Sequence, residues 1–493
     1  SKFSSAGVPR LGIPENWMSD GPHGIREEMI WDKWRNAGWT NDSCIAFPAL
    51  SCLAATWNPE LSLLYGKSIG EEARYRNKNV LLGPGANIYR LPLNGRNFEY
   101  LGEDPYLTTK MVVPYIQGVQ SNGVAACVKH FPGAGIYATR DTHFVPECNT
   151  MTLEEWEQTS GKVYQDVIDS GVWSVMISHA AFPAVDDTKI GKRYMPSTFS
   201  KKVVTDLLKG KMGFNGVVIT DDMYMRSCKS MFSSREEMYI NALNAGNDIL
   251  LGPEMEPDFQ PGYIDVIEQA VKDGRVSMER IDDACSRVLE FKEKMSLFKP
   301  GIYSEEQYPG KATANTRALC TEIAEKALTL VVNDTGLLPL SKKNIKNIAI
   351  VAFAHIEKFF GSMDELKEIL EGMGFKVDVY NKLTQDLSKQ IAENYDLIIY
   401  STFIGPHAPC GKPSFYGDVM KSFFNVLAYG AEKSVCVSFG SPHIFYEYFE
   451  FCDTFINAYS YDRTMLETFA KAIFGEIPFV GKSPVKLYPQ RNF

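Results

Sequence analysis

The chain has 493 residues, of which 45% are hydrophobic and 23% charged. At roughly 100 to 200 residues per domain that is two to four domains, or one large barrel with a companion, and the balance excludes collagen, coiled coil and a disordered chain. A formal charge of -9 with no Lys/Arg block argues against nucleic acid and against an anionic membrane surface as partners.

In chain order, the first polar constellation is Ser19-Asp20-Gly21-Pro22-His23-Gly24. Asp20 there offers two acceptor oxygens to a polyhydroxylated ligand, or holds an Asx turn. The apolar run VLLGPG (80–85) predicts a buried strand. It is followed by Asn94-Gly95-Arg96-Asn97-Phe98-Glu99-Tyr100, in which the rigid donor fork of Arg96 suits sugar hydroxyls or a loop salt bridge. VAACVK (124–129) predicts the next strand, with Lys129-His130 at its end and Arg140-Asp141-Thr142-His143 shortly after. A carboxylate beside an imidazole fixes one tautomer and raises its pKa towards working pH, as a general acid/base requires; the bland reading is an ordinary loop pair. Thr152-Leu153-Glu154-Glu155 is a capping box and predicts a helix running towards Gly171. WSVMIS (173–178), VVIT (217–220) and DILLG (248–252) extend the strand series. VVIT runs into Asp221 and Asp222, two carboxylates that are costly at the end of a buried strand unless paired or used. The first reads as a nucleophile, with Asp222 its rival, and the alternative is a helix cap.

Strands that are apolar throughout and alternate with helices pair in parallel with both faces covered, and polar residues at their C-terminal ends mark the active-site face of a barrel. The expectation is an α/β chain: a (β/α)8 TIM-type barrel over 1–297, a Pro/Gly-containing linker over 298–325, and a smaller doubly wound α/β sandwich over 326–493. The second domain rests on IAIVAFA (348–354), FKVDVYN (375–381), DLIIYST (396–402), SVCVSFG (434–440) and TFINAYS (454–460). It holds no phosphate-binding glycine motif, so no nucleotide cofactor is expected. Ten cysteines without C-x-x-C spacing and seven histidines without H-E-x-x-H give no reason to expect a metal. No apolar run approaches the roughly 20 residues of a membrane span. The loop FIGPHAPCGKPSFYG (403–417) follows a strand and is a candidate to close over the leaving-group side.

Together, S-D-G-P-H-G, G-R-N-F-E-Y-x-G-E-D-P, K-H-F, T-D-D-M and the tail I-N-A-Y-S with A-I-F-G-E-I-P-F-x-G-K-S-P-V resemble glycoside hydrolase family 3 over nearly the whole chain. The resemblance implies a barrel followed by an α/β sandwich, and cofactor-free, retaining, exo-acting hydrolysis of an oligosaccharide or β-glycoside. It implies Asp221 as nucleophile and Asp20, Arg96, Lys129 and His130 as ligands of the non-reducing sugar. Up to about residue 131 the motifs are similar to the β-glucosidase branch. From Pro132 onwards, D-x-H, S-H-A-A-F-P-A-V-D-D and G-F-N-G-V-V-I-T-D-D-M are similar to the β-N-acetylglucosaminidase branch. That branch takes its acid/base from a His-Asp dyad, which maps onto His143 and Asp141; Gly133-Ala134-Gly135 departs from its usual G-H-G or G-D-G. The expectation is a β-N-acetylglucosaminidase (β-N-acetylhexosaminidase) acting through a glycosyl-Asp221 ester, with β-glucosidase as the alternative. A phosphorylase is a further alternative, because an imidazole that has given up its proton does not repel phosphate. A sugar binder that has lost catalysis is least favoured. Relatives usually carry helical residues ahead of L-G-I-P, so the chain is expected to begin downstream of a leader; periplasm and cytoplasm, like oligomeric state, are left open.

Overall fold

Five parallel strands make the first sheet: β1 (Asn16–Asp20), β2 (Val80–Leu82), β3 (Ala125–Phe131), β4 (Ser174–Ile177) and β5 (Val217–Thr220), neighbours in that order. Ser4–Ser5 adds an antiparallel edge on β1. The computed structural model describes residues 4–487 apart from 6, 27–28, 31–34, 37–43, 134–141, 253–259, 300–310, 355–362, 405–414 and 416. Among these residues the expected eight-stranded closure is met in part, as an open half-barrel. DILLG supplies only a bridge from Ile249 to Ile219 rather than a strand. The reason lies in Asp248, whose carboxylate takes the Val218 N–H at 2.9 Å, the donor that a neighbouring strand's carbonyl would otherwise receive.

Alternation along these strands sorts the core. Met18, Val80, Leu82, Ala125, Cys127, Met176, Val217 and Ile219 form one inner cluster, joined by Phe291 and Met295. Their neighbours Leu81, Ala126, Val128, Val175, Ile177 and Val218 pack outwards into the main core. Helix α1 (Leu50–Ala55) precedes α2 (Pro59–Tyr75), which Asn58 caps, and α3 (Pro105–Gln120), which Asp104 caps. A Cβ on Gly66 of α2 would stand 2.1 Å from the Tyr115 carbonyl oxygen of α3, so glycine sets the close approach of the two helices. The Thr152–Glu155 capping box forms as expected. It opens α4 (Leu153–Gln158), which breaks at Thr159 before α5 (Ser160–Asp169) instead of running on unbroken.

The second sheet contains β6 (Thr329–Asn333), β7 (Asn347–Ala354), β8 (Lys376–Tyr380), β9 (Leu397–Phe403), β10 (Ser434–Ser438) and β11 (Thr454–Asn457), in the order β6-β11-β10-β9-β7-β8. All pairs are parallel except β6 with β11. The chain steps from β7 outwards to β8 and then back across to β9, which puts a topological switch point between β7 and β9. Part of the expected linker is helix: α6 (Lys311–Ala327) buries Leu319, Cys320, Ile323, Ala324 and Ala327. Their spacing of three to four is a helical stripe, and it packs against α1, α2 and the last helix, α7 (Arg463–Ile473), so one core runs across both sheets. The tail returns to the first sheet: Lys482 N–H bonds the Ala55 carbonyl at 2.9 Å, and Val485 packs on Tyr89 and Tyr100. No helix among the described residues is long and apolar enough to cross a membrane.

Candidate active site

The inward alternation of the half-barrel carries past the ends of its strands and delivers the site. Asp20 lies two residues after Met18, Lys129 two after Cys127, and Asp221 two after Ile219, so all three point into the mouth above the apolar inner cluster. His130 would face outwards by the same rule. The pairing of β3 with β4 shifts register between Val128 and Phe131, and this irregularity turns the ring to the mouth. There its Nε2 lies 3.9 Å from Asp221 Oδ2.

Charge at the site is organised by Glu99. Its carboxylate takes Arg96 Nε at 2.6 Å and Arg96 Nη2 at 3.3 Å, and lies 3.7 Å from Lys129 Nζ. Burial works to raise the Glu99 pKa, but Arg96 and Lys129 outweigh it and hold the carboxyl down at about 2. Lys129 is pushed the other way by burial, yet Asp20 at 3.4 Å and Glu99 raise it above its ordinary value and keep it charged. Arg96 also donates from Nη2 to His130 Nε2 at 3.0 Å. A guanidinium has no acceptor, so that nitrogen carries the lone pair, and Nδ1–H donates to the Tyr100 hydroxyl at 3.2 Å. Burial, then Arg96 and Lys129, drive the His130 pKa well below 6.5, so the ring is neutral. Its backbone N–H is fixed by Asn87 Oδ1 at 3.1 Å.

Asp221 is 6% exposed. Its Oδ1 accepts the Asp222 N–H at 2.8 Å, whereas Oδ2 is buried with no hydrogen-bond partner among the described residues. A carboxyl oxygen left without a hydrogen-bond partner beside a neutral imidazole is chemically able to act on an electrophilic carbon brought into the mouth. Asp222 points the other way. Its Oδ1 accepts Tyr224 N–H at 2.9 Å in an Asx turn, and its carbonyl takes His179 Nε2–H at 3.0 Å. His143 is half-buried on the same rim, its carbonyl bonded to Arg226 N–H at 3.1 Å. Burial is the main cause that lowers the pKa of His130 and of His179, and His143 stands close enough to both to add to it. Asp141, its expected partner, lies outside the described residues, as does 405–414 of the loop expected to close over the leaving group.

The structure thus gathers Asp20, Arg96, Lys129, His130 and Asp221 at one mouth with His143 on its rim. It adds Glu99, Tyr100 and Asn87, to which the sequence reading gave no role. Glu99 had a signal, three residues after Arg96 within the same motif; Asn87 had none. No group of three or more His, Cys, Asp or Glu suited to a metal ion occurs among the described residues.

The chain resembles known proteins over most of its length. The family described as "Glycosyl hydrolase family 3 N terminal domain" matches residues 15–291. A β-glucosidase of Bacteroides ovatus is 44% identical over 71% of this chain, which spans 45% of that protein's length. A Cellulomonas fimi protein named β-N-acetylglucosaminidase/β-glucosidase is 27% identical over 88% of this chain and 79% of its own. Among solved structures, a β-glucoside phosphorylase superposes with a TM-score of 0.80 at 25% identity, covering 92% of this chain and 83% of that one.

Proposed function

The chain belongs to glycosyl hydrolase family 3, and on that premise we propose that it is a retaining, exo-acting β-glycosidase whose preferred substrate is a β-glucoside. The observation that carries the proposal is Asp221 Oδ2, buried and without a hydrogen-bond partner among the described residues, beside a mouth lined by Asp20, Arg96, Lys129 and His130. A β-glucoside takes the place of the expected N-acetylglucosaminide because the Bacteroides relative, at 44% identity, is named a β-glucosidase, and the Cellulomonas relative carries both names. The open parallel sheet is read as the wall of a (β/α)8-type barrel over 1–297, with the α/β sandwich over 326–493 behind it.

Asp221 Oδ2 gives its electron pair to the anomeric carbon as the bond to the aglycone oxygen breaks, and His143, oriented by Asp141, gives that oxygen its proton. His143 then takes a proton from water as the water attacks the glycosyl ester, which frees the Asp221 carboxylate. Arg96 and Lys129 donate to sugar hydroxyls and Asp20 accepts from them, while Glu99 holds both cations in place. An imidazole acid at the rim also leaves phosphate free to take the place of water, and the likeness to a β-glucoside phosphorylase favours keeping that second reading.

Initial rates on p-nitrophenyl β-glucoside and p-nitrophenyl β-N-acetylglucosaminide, with and without phosphate, test the proposal. Faster turnover of the glucoside with free glucose as product is expected. Preference for the acetamido sugar overturns the substrate, glucose 1-phosphate overturns hydrolysis, and no turnover of either overturns the activity.

A further inference from the structure

His179 lies next to the Asp221–Asp222 turn yet is fully buried, so it meets no substrate. It follows β4, and the alternation that sends Ile177 outwards carries its ring to the same outer side of the sheet. Its Nε2 is 3.0 Å from the Asp222 carbonyl oxygen and its Nδ1 is 2.7 Å from Thr198 Oγ1. A carbonyl only accepts, so Nε2 carries the proton and Nδ1 the lone pair. The single hydroxyl hydrogen of Thr198 therefore goes to Nδ1 rather than to the Ser178 carbonyl at 3.1 Å, since otherwise two lone pairs would face each other across 2.7 Å. Thr198 is held in turn by Asn247, whose Nδ2 donates to its carbonyl at 2.8 Å, and both residues are fully buried.

What this chain of bonds holds is the turn after β5. The Asp222 carbonyl takes Met225 N–H at 3.0 Å as well as His179, so both of its lone pairs are engaged. On the other side of the residue, Asp221 N–H bonds the Ile177 carbonyl at 3.0 Å, and Asp222 N–H bonds Asp221 Oδ1 at 2.8 Å. The backbone of Asp222 is thus pinned before and after its Cα, with its N–H aimed at Oδ1 and away from Oδ2. The same turn reaches the rim, where Arg226 N–H bonds the His143 carbonyl at 3.1 Å. One connected path runs from Asn247 through Thr198, His179 and the 222–226 turn to both Asp221 and His143.

We propose that His179 is a positioning residue for the reaction, its tautomer fixed by Thr198: it locks the Asp222 backbone so that Asp221 presents Oδ2 to the anomeric carbon at a set separation from His143. The inference rests on the glycosidase reading and assigns no proton transfer to His179. When Oδ2 forms the glycosyl ester, Oδ1 becomes the ester carbonyl oxygen and still accepts the Asp222 N–H, so the lock serves both the formation and the hydrolysis of the ester.

Two pairs of variants test it. His179→Leu removes the donor to the Asp222 carbonyl and His179→Gln keeps one; Thr198→Val removes the hydroxyl at nearly constant volume and Thr198→Ser keeps it. The rate of labelling by 2-deoxy-2-fluoro-β-D-glucosyl fluoride, whose leaving group needs no proton, is followed by intact-protein mass. It is set beside the dissociation constant of p-nitrophenyl β-thioglucoside, an S-linked analogue that resists cleavage. Labelling is expected to slow by roughly thirtyfold or more in His179→Leu and about tenfold in Thr198→Val, with thioglucoside affinity within about threefold of the parent. His179→Gln and Thr198→Ser should stay within about fivefold of the parent rate. A residue that only stabilised the fold would not separate rate from affinity in this way. Rates unchanged in His179→Leu and Thr198→Val, affinity lost in step with rate, or no difference within either pair overturns the proposal. Should His179→Leu fail to fold, the Thr198 pair decides. A parent that takes no label overturns the glycosidase reading, and the positioning role falls with it; a labelled parent with equally fast variants overturns the positioning role alone.

Discussion

His130 Nε2 stands 3.9 Å from Asp221 Oδ2 with a lone pair rather than a proton on that nitrogen. Arg96 donates to that nitrogen and Tyr100 receives the ring's only proton, so the imidazole offers Asp221 Oδ2 no hydrogen bond. Were the proton on Nε2 instead of Nδ1, Nε2–H would compete with a substrate carbon for the same oxygen.

Asp221→Asn is expected to lower kcat by about a thousandfold or more and to abolish the covalent fluoroglucosyl adduct, because the attacking oxygen is lost. Asp222→Asn keeps an oxygen for Tyr224 N–H and leaves the carbonyl that holds His179 untouched. It should stay within about tenfold of the parent. Steady-state rates and intact-protein mass distinguish the two; full activity in Asp221→Asn reverses the assignment.

His143→Ala should lose roughly 10²- to 10⁴-fold with alkyl glucosides, whose leaving oxygen needs the proton, and far less in the glycosylation step with dinitrophenyl glucoside, which does not. Azide should restore turnover of the activated substrate as glycosyl azide. Equal losses on both substrates would place the acid elsewhere.

Glu99→Gln removes the anion that Arg96 and Lys129 share in a buried setting, and breaking such a cluster costs about 3 to 5 kcal/mol. The native carboxyl titrates at about 2, against an ordinary value of 4.5. Its stabilisation is therefore complete above 4.5 and lost as pH falls from there towards 2. Melting curves should separate parent from variant widely at pH 7 and bring them together as pH drops through that window.

Four histidines, His23, His130, His179 and His443, have pKa values lowered by burial, His23 and His443 to about 4. Below 6.5 the unfolded chain gains protons that the folded protein refuses, so stability falls as pH drops from about 6.5, well before Glu99 titrates. Urea midpoints at pH 7.5 and 5 should show the loss, with net proton uptake on unfolding at the lower pH. A flat profile between these values would contradict the neutral rings.

Much of the architecture was legible because buried parallel strands write themselves as short apolar runs, and the polar residues just beyond them marked the mouth. Period-two alternation then decides between Asp221 and Asp222. What escaped was long-range or small. Asp248 capping the Val218 N–H is a contact across 30 positions and leaves no local pattern. β6 is half-buried on a sheet edge and reads weakly as TLVVN. The stripe of α6 was hidden beside a Pro/Gly segment. Glu99 looked like one charge in a loop until Arg96 and Lys129 were seen to converge on it.

The alternation Val217, Ile219, Asp221 has an evolutionary consequence. Within β5, residue count modulo two decides which aspartate faces the sugar. A single-residue insertion or deletion ahead of Thr220 would present Asp222 to the mouth, send Asp221 into the surrounding loops and pull His179 from its anchor in one stroke. Length changes in this strand should therefore survive only in pairs, whereas the loops beyond it are free to vary one residue at a time.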